Sequence, residues 1–418
     1  MSNKLERTVS VLGMGHLGLP LAVTFALSKF KVFGIDIDES KVNLLKESKS
    51  PFEESHLQET LDKEIVKNNF FPTTDFKSSI KKSIASFILV NTPSTTDGSY
   101  NTVFVEKVAQ SIAEILKEIT FFHVVVLVST VSPGDSLSRI VPLLEKISGK
   151  KRGKAFGFVH NPEFIALGSV IKDMLNPDFR VIGEEDEKSG NIIEEIYKNV
   201  SDAPIVRMSV NNAELVKIAL NCFLTIKISF ANTIGEICQK LEGGNSGLVA
   251  KTLGLDKRIS PYFLNAGMGY GGPCFPRDDK ALIALAEKLD AQAFLSEASS
   301  KVNMRQVELA LIRIRAVSRV KTILVLGMAY KPNVPYIGES QAFEITRILS
   351  EDNSYKLTVY DPQAMTEAKK ILGNRVIYAI SVKEALENKF DLILILTPWK
   401  EFLDMDFENQ HLINFWKS

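Results

Sequence analysis

A glycine-rich turn near the amino end of the chain constrains its fold most strongly. Residues 8–12 are apolar and short, as in a buried strand, and residues 13–18 read Gly-Met-Gly-His-Leu-Gly. Apolar residues at helical spacing follow over 19–27, and a second strand is predicted over 31–35, directly before Asp36. The glycines permit a tight turn, close approach of a pyrophosphate and close packing of the helix on the sheet. The pattern predicts a Rossmann-like domain that binds a dinucleotide.

Asp36 indicates which dinucleotide this domain binds. A carboxylate at this position is expected to hydrogen-bond the ribose diol of the adenosine and to repel a 2′-phosphate, so NAD is favoured over NADP. Lys41 lies nearby in sequence and weakens that preference slightly. The amino end of the helix would offer N–H groups and a positive dipole end to the phosphates. The residues predicted to contact NAD here are Gly13, Met14, Gly15, His16, Leu17, Gly18, Asp36 and Lys41.

Three further predicted strands in the first half of the chain end in polar clusters. They cover 86–90, 123–128 and 155–159. Ligands in open α/β sheets lie beyond the carboxyl ends of the strands, although the same residue types also form ordinary turns. Three such clusters at the correct ends favour function. The residues predicted to contact NAD in the first two clusters are Val90, Asn91, Thr92, Pro93, Ser129, Thr130 and Val131, and the third cluster reads His160, Asn161, Pro162 and Glu163.

The middle of the chain predicts one long helix. Asn211 followed by Glu214 resembles a capping box, and the helical pattern continues to about residue 241. Lys217 and Asn221 are four residues apart and share a helical face. They are either solvated surface residues or, because their neighbours are apolar, polar groups on a mostly buried helix that need partners. A helix this long and apolar is also a candidate dimer interface.

The last third of the chain is again α/β. Strands are predicted over 322–326, 356–360 and 390–396. The first turn has a single glycine, Gly327, where a dinucleotide loop needs three, so this second Rossmann-like unit is not expected to bind NAD. Lys331 follows the first strand and could hold another phosphate.

A cysteine follows the most glycine-dense part of the chain. Residues 267–279 read Gly-Met-Gly-Tyr-Gly-Gly-Pro-Cys-Phe-Pro-Arg-Asp-Asp. Glycines allow the backbone to approach a ligand closely, and an arginine near Cys274 favours the nucleophilic thiolate. An adjacent carboxylate such as Asp278 can act as acid, base or orienting group. The alternative is a tight turn with a buried structural thiol, but the glycine density and the polar residues after Cys274 favour the nucleophile.

The composition excludes several classes of protein. The 418 residues carry 50 basic and 50 acidic side chains, so nothing predicts binding to nucleic acid or to a membrane surface. The longest purely apolar run, 124–128, is too short to span a bilayer, and the polar start of the chain predicts no signal peptide. The three cysteines predict neither disulfides nor a metal site, and the five histidines are scattered. We expect a cytoplasmic protein of two or three domains without a metal.

Together these motifs occur in the same order in nucleotide-sugar 6-dehydrogenases, and the chain resembles the UDP-glucose/GDP-mannose dehydrogenase family from end to end. The cysteine loop is the most specific of them. The shared segments are residues 13–20, 90–93, 129–131, 161–164, 217 with 221, 269–278 and 330–333. The resemblance implies two Rossmann-like doubly wound α/β domains joined by a central helical segment with one long helix. The implied boundaries are an NAD-binding domain over 1–205, a central dimerisation and catalytic segment over 206–305, and a UDP-sugar-binding domain over 306–418.

The resemblance also implies a reaction, the NAD-dependent four-electron oxidation of a sugar C6 alcohol to the uronate, with UDP-glucose favoured and a place in polysaccharide biosynthesis. Cys274 would carry a thiohemiacetal and then a thioester, Lys217 would stabilise the oxyanion, and Asn221 would position the sugar. Asp278 and Thr130 would handle protons and water, and Glu163 would serve hydrolysis. The resemblance also implies that Arg277 contacts NAD. The implied substrate residues are Glu163, Phe164, Ile165, Lys217, Asn221, Arg258, Asn265, Ala266, Gly267, Gly269, Tyr270, Gly271, Tyr330 and Lys331, with Arg258 reaching across a homodimer formed through the long helix.

Three departures from the family pattern are expected to weaken binding of NAD or of the sugar. Leu167 stands where the family has a glutamate, and Gly338 stands where it has an arginine near NAD. The chain is also expected to stop, at Ser418, without the family's last strand and its Asp-x-Arg segment. Two alternatives stay open: a 6-dehydrogenase for a UDP-N-acetylhexosamine or GDP-mannose, and a non-catalytic nucleotide-sugar-binding homologue.

Overall fold

The computed structural model describes residues 7–407 and 410–416. Contacts divide the chain into two compact units, with the division falling between Ile218 and Ala219. The first unit is built on an eight-stranded sheet and the second on a five-stranded sheet. The predicted pair of Rossmann-like domains is thereby confirmed. Ser418, where the chain was expected to stop, lies outside the described residues.

The first sheet has the strand order β3-β2-β1-β4-β5-β6-β7-β8. Its paired neighbours are parallel except for β6 and β7, which are antiparallel. Its central strands are apolar nearly throughout because helices cover both faces of a parallel sheet. The strands are β1 Thr8–Leu12, β2 Lys31–Ile35, β3 Phe70–Thr73, β4 Ala85–Ile88, β5 His123–Leu127, β6 Phe156–His160, β7 Arg180–Glu184 and β8 Ile205–Met208.

Two hydrophobic clusters cover the two faces of this sheet. One includes Val124 and Val126 of β5 and packs against α1, α8 and α9. The other includes Val125 and Leu127 of the same strand and packs against α6 and α7. The α-helices are α1 Gly18–Leu27, α2 Glu39–Lys46, α3 Leu57–Leu61, α4 Glu64–Asn69, α5 Phe76–Lys81, α6 Val103–Leu116, α7 Val141–Ser148, α8 Val170–Leu175 and α9 Glu187–Lys198.

The predicted long helix is α10, Val210–Lys240, but the predicted capping box at its start is wrong. Asn211 is exposed and already lies inside the helix. The Glu214 side chain is fully buried and accepts hydrogen bonds from the backbone N–H groups of Gly134 (2.6 Å) and Ser136 (3.1 Å). A buried carboxylate needs donors, and the loop after β5 supplies them. Burial raises the pKa of Glu214 to about 7, against the opposing effect of these hydrogen bonds.

The second sheet has the order β11-β10-β9-β12-β13, and all its paired strands are parallel. Within the described residues no helix is both long and apolar enough to cross a bilayer. The strands are β9 Thr322–Leu326, β10 Lys356–Tyr360, β11 Ile377–Tyr378, β12 Leu392–Ile395 and β13 Leu412–Asn414. The remaining helices are α11 Ser246–Gly254, α12 Phe275–Lys288, α13 Phe294–Arg315, α14 Gln341–Ser350, α15 Met365–Leu372, α16 Val382–Ala385 and α17 Lys400–Leu403.

Strand β13 corrects one expectation about the carboxyl end. A strand follows β12 after all and pairs with it in parallel, so the sheet has five strands. It reads Leu-Ile-Asn and carries no Asp-x-Arg segment. Three residues are too few to show an alternating or continuous apolar pattern, and for that reason the sequence did not reveal this strand.

Helix α10 is less buried than the sequence suggested. Cys222 is buried, but Phe223, Phe230 and Ile237 are 62%, 49% and 54% exposed. These three residues follow one another at intervals of seven and so line one side of the helix. We call Phe223, Phe230 and Ile237 the apolar stripe of α10.

Candidate active site

The glycine turn after β1 has two structural glycines and one that leaves space. Gly13 has φ +97°, and a Cβ there would lie 2.3 Å from the carbonyl oxygen of Leu89. A Cβ on Gly18 would lie 1.8 Å from the carbonyl oxygen of Gly13, so α1 can begin this close to the turn only with glycine. A Cβ on Gly15 would meet nothing within 4 Å. The turn is therefore open on the side of Gly15, where a ligand can approach the backbone.

The start of α1 suits a phosphate. Leu17 precedes the helix and makes no side-chain cap, so its first N–H groups lack the usual side-chain acceptor. Such groups, with the positive end of the helix dipole, attract an anion. His16 is exposed beside them, and its ring lies 4.2 Å from the ring of Phe52. These residues fit the diphosphate of a dinucleotide.

Asp36 is held by the same turn. Its Oδ2 accepts hydrogen bonds from the Met14 N–H and the Lys41 ammonium, both at 2.8 Å, and its Oδ1 accepts from the Asp38 N–H at 3.0 Å. Burial opposes ionisation, but these hydrogen bonds outweigh it and hold the pKa of Asp36 below its ordinary value. The carboxylate is thus ionised at neutral pH, at the carboxyl end of β2 where a ribose would bind.

The polar clusters after β4 and β5 are tied to each other. The Ser129 hydroxyl donates to the Val90 carbonyl (2.7 Å) and accepts from the Val90 N–H (2.9 Å). Thr130 is half-buried beside it, while Asn91 is exposed and Thr92 is buried. The sequence-predicted residues at these two strand ends therefore lie together at one edge of the first sheet.

Glu163, in the cluster after β6, is a buried acid with three charged or polar neighbours. It accepts a hydrogen bond from the Tyr197 hydroxyl (3.3 Å), and the Arg180 guanidinium lies 3.6 Å away. Burial raises the pKa of Glu163, while Arg180, Tyr197 and Lys217 act in the opposite direction. The Lys217 ammonium also lies 5.4 Å from the centre of the Phe164 ring. This arrangement gives the first unit an acid that can exchange a proton, with a cation nearby.

In the second unit Cys274 lies at the amino end of a helix. It precedes α12, makes no side-chain cap and is partly exposed, and Pro276 lies in the first turn. The other two cysteines, Cys222 and Cys238, are buried. The amino end of a helix favours a thiolate, so this position suits a nucleophile. The sequence predicts that Arg277 activates the thiol, but it does not show that Cys274 lies at the end of a helix.

Asp278 lies one helical turn after the cysteine and is fully buried. The side-chain amide of Asn221 donates to its Oδ2 at 2.6 Å, and the Arg277 Nε lies 3.6 Å from its Oδ1. The sequence placed Asn221 and Asp278 in the same site, and the structure joins them directly. A carboxylate with a fixed orientation, next to the turn that holds the thiol, is suited to proton transfer.

The glycines before Cys274 approach protein rather than open space. A Cβ on Gly271 would lie 2.3 Å from the Glu339 carbonyl oxygen, and one on Gly272, which has φ +83°, would lie 2.5 Å from the Tyr330 ring. The Gly272 N–H also donates to the Gly338 carbonyl at 3.2 Å. The sequence interpretation that these glycines admit a ligand is therefore incomplete, because they also admit the segment 330–339.

Asp279 supports this loop from the protein interior and is not among the site residues predicted from sequence. Asp279 is fully buried, and it accepts hydrogen bonds from the Tyr270 hydroxyl (2.7 Å) and the Thr225 hydroxyl (3.0 Å). Burial raises the pKa of Asp279, against these hydrogen bonds. The Tyr270 side chain is itself buried, so it faces the interior. The doubled acid in Arg-Asp-Asp was the available signal, but sequence alone does not show which acid points inward.

Comparison with protein families matches almost the whole chain. Residues 7–201 match the NAD binding domain of the UDP-glucose/GDP-mannose dehydrogenase family, residues 211–305 its central domain, and residues 324–413 its UDP binding domain. The chain belongs to this family. It is therefore an NAD-dependent nucleotide-sugar dehydrogenase, and the open turn at Gly15 and the uncapped start of α1 lie within its NAD binding domain.

Relatives within the family act on different sugars. A UDP-glucose 6-dehydrogenase of Bacillus subtilis is 36% identical over 403 residues, which cover 96% of this chain and 85% of the relative. A GDP-mannose 6-dehydrogenase of Pseudomonas putida is 35% identical over 84% of this chain and 80% of the relative. The solved structure of a UDP-glucose dehydrogenase from Pyrobaculum islandicum has a TM-score of 0.91 at 33% identity, covering 100% of this chain and 95% of that one.

The remaining predicted substrate residues of this dehydrogenase lie in the second unit. Arg258 is exposed and pairs with Asp256 at 2.6 Å. Asn265 is exposed, Ala266 and Gly267 are partly buried, and the Lys331 ammonium lies 5.8 Å from the centre of the Tyr330 ring. Ile165, in the first unit, packs against its core.

The two residues that depart from the family pattern are both accommodated locally. Leu167 is partly buried and packs against the first unit's core. Gly338 does not have a positive φ, but a Cβ there would lie 2.5 Å from the Tyr336 hydroxyl. An arginine at 338 therefore needs Tyr336 to move, whereas a glutamate at 167 has to replace apolar contacts.

Proposed function

We propose that this dehydrogenase oxidises the C6 alcohol of UDP-glucose to UDP-glucuronate, in two NAD-dependent steps on Cys274. The observation that carries the proposal is the position of Cys274, partly exposed at an uncapped helix amino terminus, one turn from the Asn221–Asp278 pair. A structural thiol needs neither exposure nor a fixed carboxylate. NAD, when bound, accepts a hydride in each of the two oxidations.

In the first oxidation the C6 alcohol loses a hydride and a proton and becomes an aldehyde. The Cys274 thiolate then adds to the aldehyde carbon, and the aldehyde oxygen takes up a proton, which gives a thiohemiacetal. By the family resemblance, Lys217 stabilises the oxyanion before that proton arrives, and Asn221 positions the sugar. The covalent bond to sulfur retains the aldehyde between the two oxidations.

In the second oxidation the thiohemiacetal loses a hydride and a proton and becomes a thioester. Water adds to the thioester carbon and the C–S bond breaks, which releases the uronate and restores the thiol. Asp278 and Thr130 are proposed to handle the water and its proton, and Glu163 to serve the hydrolysis. The raised pKa of Glu163 supports this role, because a buried acid can keep its proton at a higher pH than usual.

Replacing Cys274 by serine tests this scheme. Serine is a much poorer nucleophile at neutral pH, so formation of the uronate should fall by at least about a thousandfold, or about 4 kcal/mol in the barrier. The parent protein should yield two NADH per sugar with little aldehyde available to a carbonyl reagent. One NADH per sugar with free aldehyde in the parent, or near-normal uronate from Cys274→Ser, would refute the thioester mechanism.

The identity of the sugar needs a panel of nucleotide sugars. UDP-glucose is favoured by the match of residues 324–413 to a UDP binding domain and by relatives named as UDP-glucose 6-dehydrogenases. The GDP-mannose relative, and a UDP-D-ManNAc dehydrogenase structure of TM-score 0.83 at 25% identity, keep those sugars as the second candidates. NADH formation with UDP-glucose, GDP-mannose and UDP-N-acetylmannosamine separates them. Binding of a sugar without NADH would instead indicate a non-catalytic homologue.

The apolar stripe of α10 supports a homodimer through this helix. Phe223, Phe230 and Ile237 expose apolar surface along one side of it, and a second copy would cover that surface. In this assembly the exposed Arg258 would leave Asp256 to reach a partner's nucleotide. Sedimentation should give a dimer for the parent and a monomer for Phe230→Arg, with Lys240→Arg at the end of the same helix as a control. A monomeric parent would rule the assembly out.

A further inference from the structure

Two side-chain amides hold the backbone of the loop that precedes Cys274. Asn303 of α13 accepts a hydrogen bond from the Tyr270 N–H (2.8 Å) and donates one to the Tyr270 carbonyl (2.9 Å). Gln341, the first residue of α14, accepts from the Gly269 N–H at 2.7 Å. Three backbone groups of two consecutive loop residues are thereby bound by two residues that lie far from them in sequence.

The two amides are also bonded to each other. The Gln341 Nε2 donates to the Asn303 Oδ1 at 2.8 Å and to the Asn303 carbonyl at 2.7 Å, and the Gln341 side chain is buried. A Cβ on Gly269 would lie 2.1 Å from the Asn303 Oδ1 and 2.2 Å from the Gln341 Nε2. The two amides can occupy these positions only because residue 269 has no side chain. We call Asn303 and Gln341 the amide pair.

The Cys274 loop needs such an external support. Glycine backbone loses more conformational freedom on ordering than any other residue, and the loop has glycine at 269, 271 and 272. A covalent catalyst requires its nucleophile to be held within about 0.5 Å of the productive position. On the far side of Cys274, α12 is anchored through the Asn221–Asp278 bond. On the near side the amide pair supplies the corresponding anchor.

We propose that Asn303 and Gln341 are positioning residues for the Cys274 nucleophile. The proposal rests on the proposed thioester mechanism, and both residues act through the backbone of 269–270. If the anchor is lost, the loop samples other conformations and the thiol no longer meets the aldehyde promptly. The aldehyde then escapes after one oxidation, so the variant should differ in stoichiometry as well as in rate.

The variants Asn303→Leu and Gln341→Met remove the hydrogen bonds with little change in volume. The kcat for uronate formation should fall by at least about tenfold, because misplacement of a reacting group by 1 Å can cost a hundredfold. The ratio of NADH to sugar should fall from two towards one, with aldehyde trapped by a carbonyl reagent, and the KM for NAD should not change. Gln306→Met is the control, because the Gln306 amide donates within α13 to the Val302 carbonyl.

Two outcomes would overturn the proposal. One is a folded Asn303→Leu protein with the parent's kcat and ratio of two. The other is a slow variant that still gives two NADH per sugar, because that indicates a general loss of active protein. If the leucine variant does not fold, Asn303→Asp decides: it keeps the acceptor for the Tyr270 N–H and loses only the donor. Its ratio should lie between one and two, and an unchanged ratio would again contradict the proposal.

Alkylation of the protein without substrate separates this proposal from the proposed function. Iodoacetamide labelling at pH 7, followed by mass spectrometry, should show Cys274 reacting at least about threefold more slowly in Asn303→Leu, since the thiol leaves the helix end that favours its thiolate. Cys222 and Cys238 are buried and should stay unlabelled. If the parent oxidises no sugar, the proposed function fails, while slower labelling still supports positioning. Equal labelling rates would reject it.

Discussion

The first turns of the two Rossmann-like sheets are built in the same way. Gly13 and Gly327 have φ of +97° and +95°, and each donates its N–H at 2.8 Å to the last carbonyl of the neighbouring strand. The next residue is a methionine in both, and its N–H donates to the acid that follows that strand, Asp36 at 2.8 Å or Asp361 at 2.7 Å. An acid at this position therefore supports its own turn, whether or not a dinucleotide binds.

The two acids differ in what else they contact. Asp36 is 9% exposed and pairs with Lys41, and beyond its turn Gly15 leaves open space. Asp361 is fully buried, and the Trp399 indole lies 3.4 Å from its Oδ2. The comparison shows that the acid alone does not indicate NAD binding. Open space at the third residue of the turn and access to the acid distinguish the cofactor site.

The largest effect should come from removing the buried acid. Asp361 accepts hydrogen bonds from four backbone N–H groups, those of Met328, Ala329, Gln363 and Ala364. Asp361→Ala leaves them without this acceptor and should lower the free energy of unfolding by about 4 kcal/mol, whereas Asp36→Ala should cost about 2 kcal/mol. Urea unfolding measures both. Equal losses would mean that the two acids support their turns to the same degree.

Asp36 should matter more for the cofactor than for folding. Losing a hydrogen bond that its carboxylate accepts from a ribose hydroxyl costs about 1.5–3 kcal/mol, so Asp36→Ala should weaken NAD binding by about tenfold to a hundredfold. The preference for NAD over NADP should become smaller. Asp361→Asn is the matched control and should keep the affinity for NAD. If the parent protein already uses NADP as well as NAD, the ribose assignment is wrong.

Gly15 tests the open space directly. A methyl group there meets no protein atom within 4 Å, so Gly15→Ala should fold normally. It should nevertheless raise the KM for NAD by about tenfold, because the backbone can no longer approach the pyrophosphate closely. The corresponding change in the second turn, Ala329→Gly, should create no NAD binding. An unchanged KM in Gly15→Ala would move the phosphate away from this turn.

The smallest effects should come from the two departures, one in each unit. A charge-assisted hydrogen bond contributes about 1.5–3 kcal/mol, so the parent should have a high KM for NAD and Gly338→Arg should lower it. The steric contact with Tyr336 limits how far Gly338→Arg alone can lower the KM for NAD. The double variant Gly338→Arg with Tyr336→Ala should therefore show the larger decrease in this KM. Adding Leu167→Glu should lower the KM for NAD further, and the KM for the nucleotide sugar should not change. Tight NAD binding by the parent would refute this account, and thermal melting checks that each variant folds.

The local patterns predicted the fold well. Strands β1, β2, β9 and β10 have the predicted bounds, because buried parallel strands are short apolar runs with polar residues at both ends. Strand β7, which pairs antiparallel with β6, and the three-residue β13 gave no such signal. The predicted capping box is wrong because Glu214 accepts hydrogen bonds from a distant loop, at Gly134 and Ser136. A local sequence pattern cannot show whether a carboxylate binds N–H groups of its own helix or those of another segment.

Sequence indicates the candidate site only where its residues are close together in the chain. The glycine turn, the strand-end clusters and the residues around Cys274 form short motifs. Asn303, Gln341 and Asp279 act through bonds to residues distant in the chain or through burial, and neither leaves a periodic pattern. The glycines of the cysteine loop illustrate this limit, since sequence shows that something must approach them but not what.

The close fit of Gly271 and Gly272 against the segment 330–339 bears on how such enzymes can be recombined. A chimera that takes its nucleotide-binding portion from a relative would place a foreign backbone 2.3 Å from where the Gly271 Cβ would be, at the Glu339 carbonyl. Crossover points between the cysteine loop and residue 341 would therefore separate surfaces that fit one another. Exchange of sugar specificity between relatives should succeed when the cysteine loop and the segment 330–339 come from the same parent. In a library of crossovers, few folded proteins should have a crossover point between these two segments.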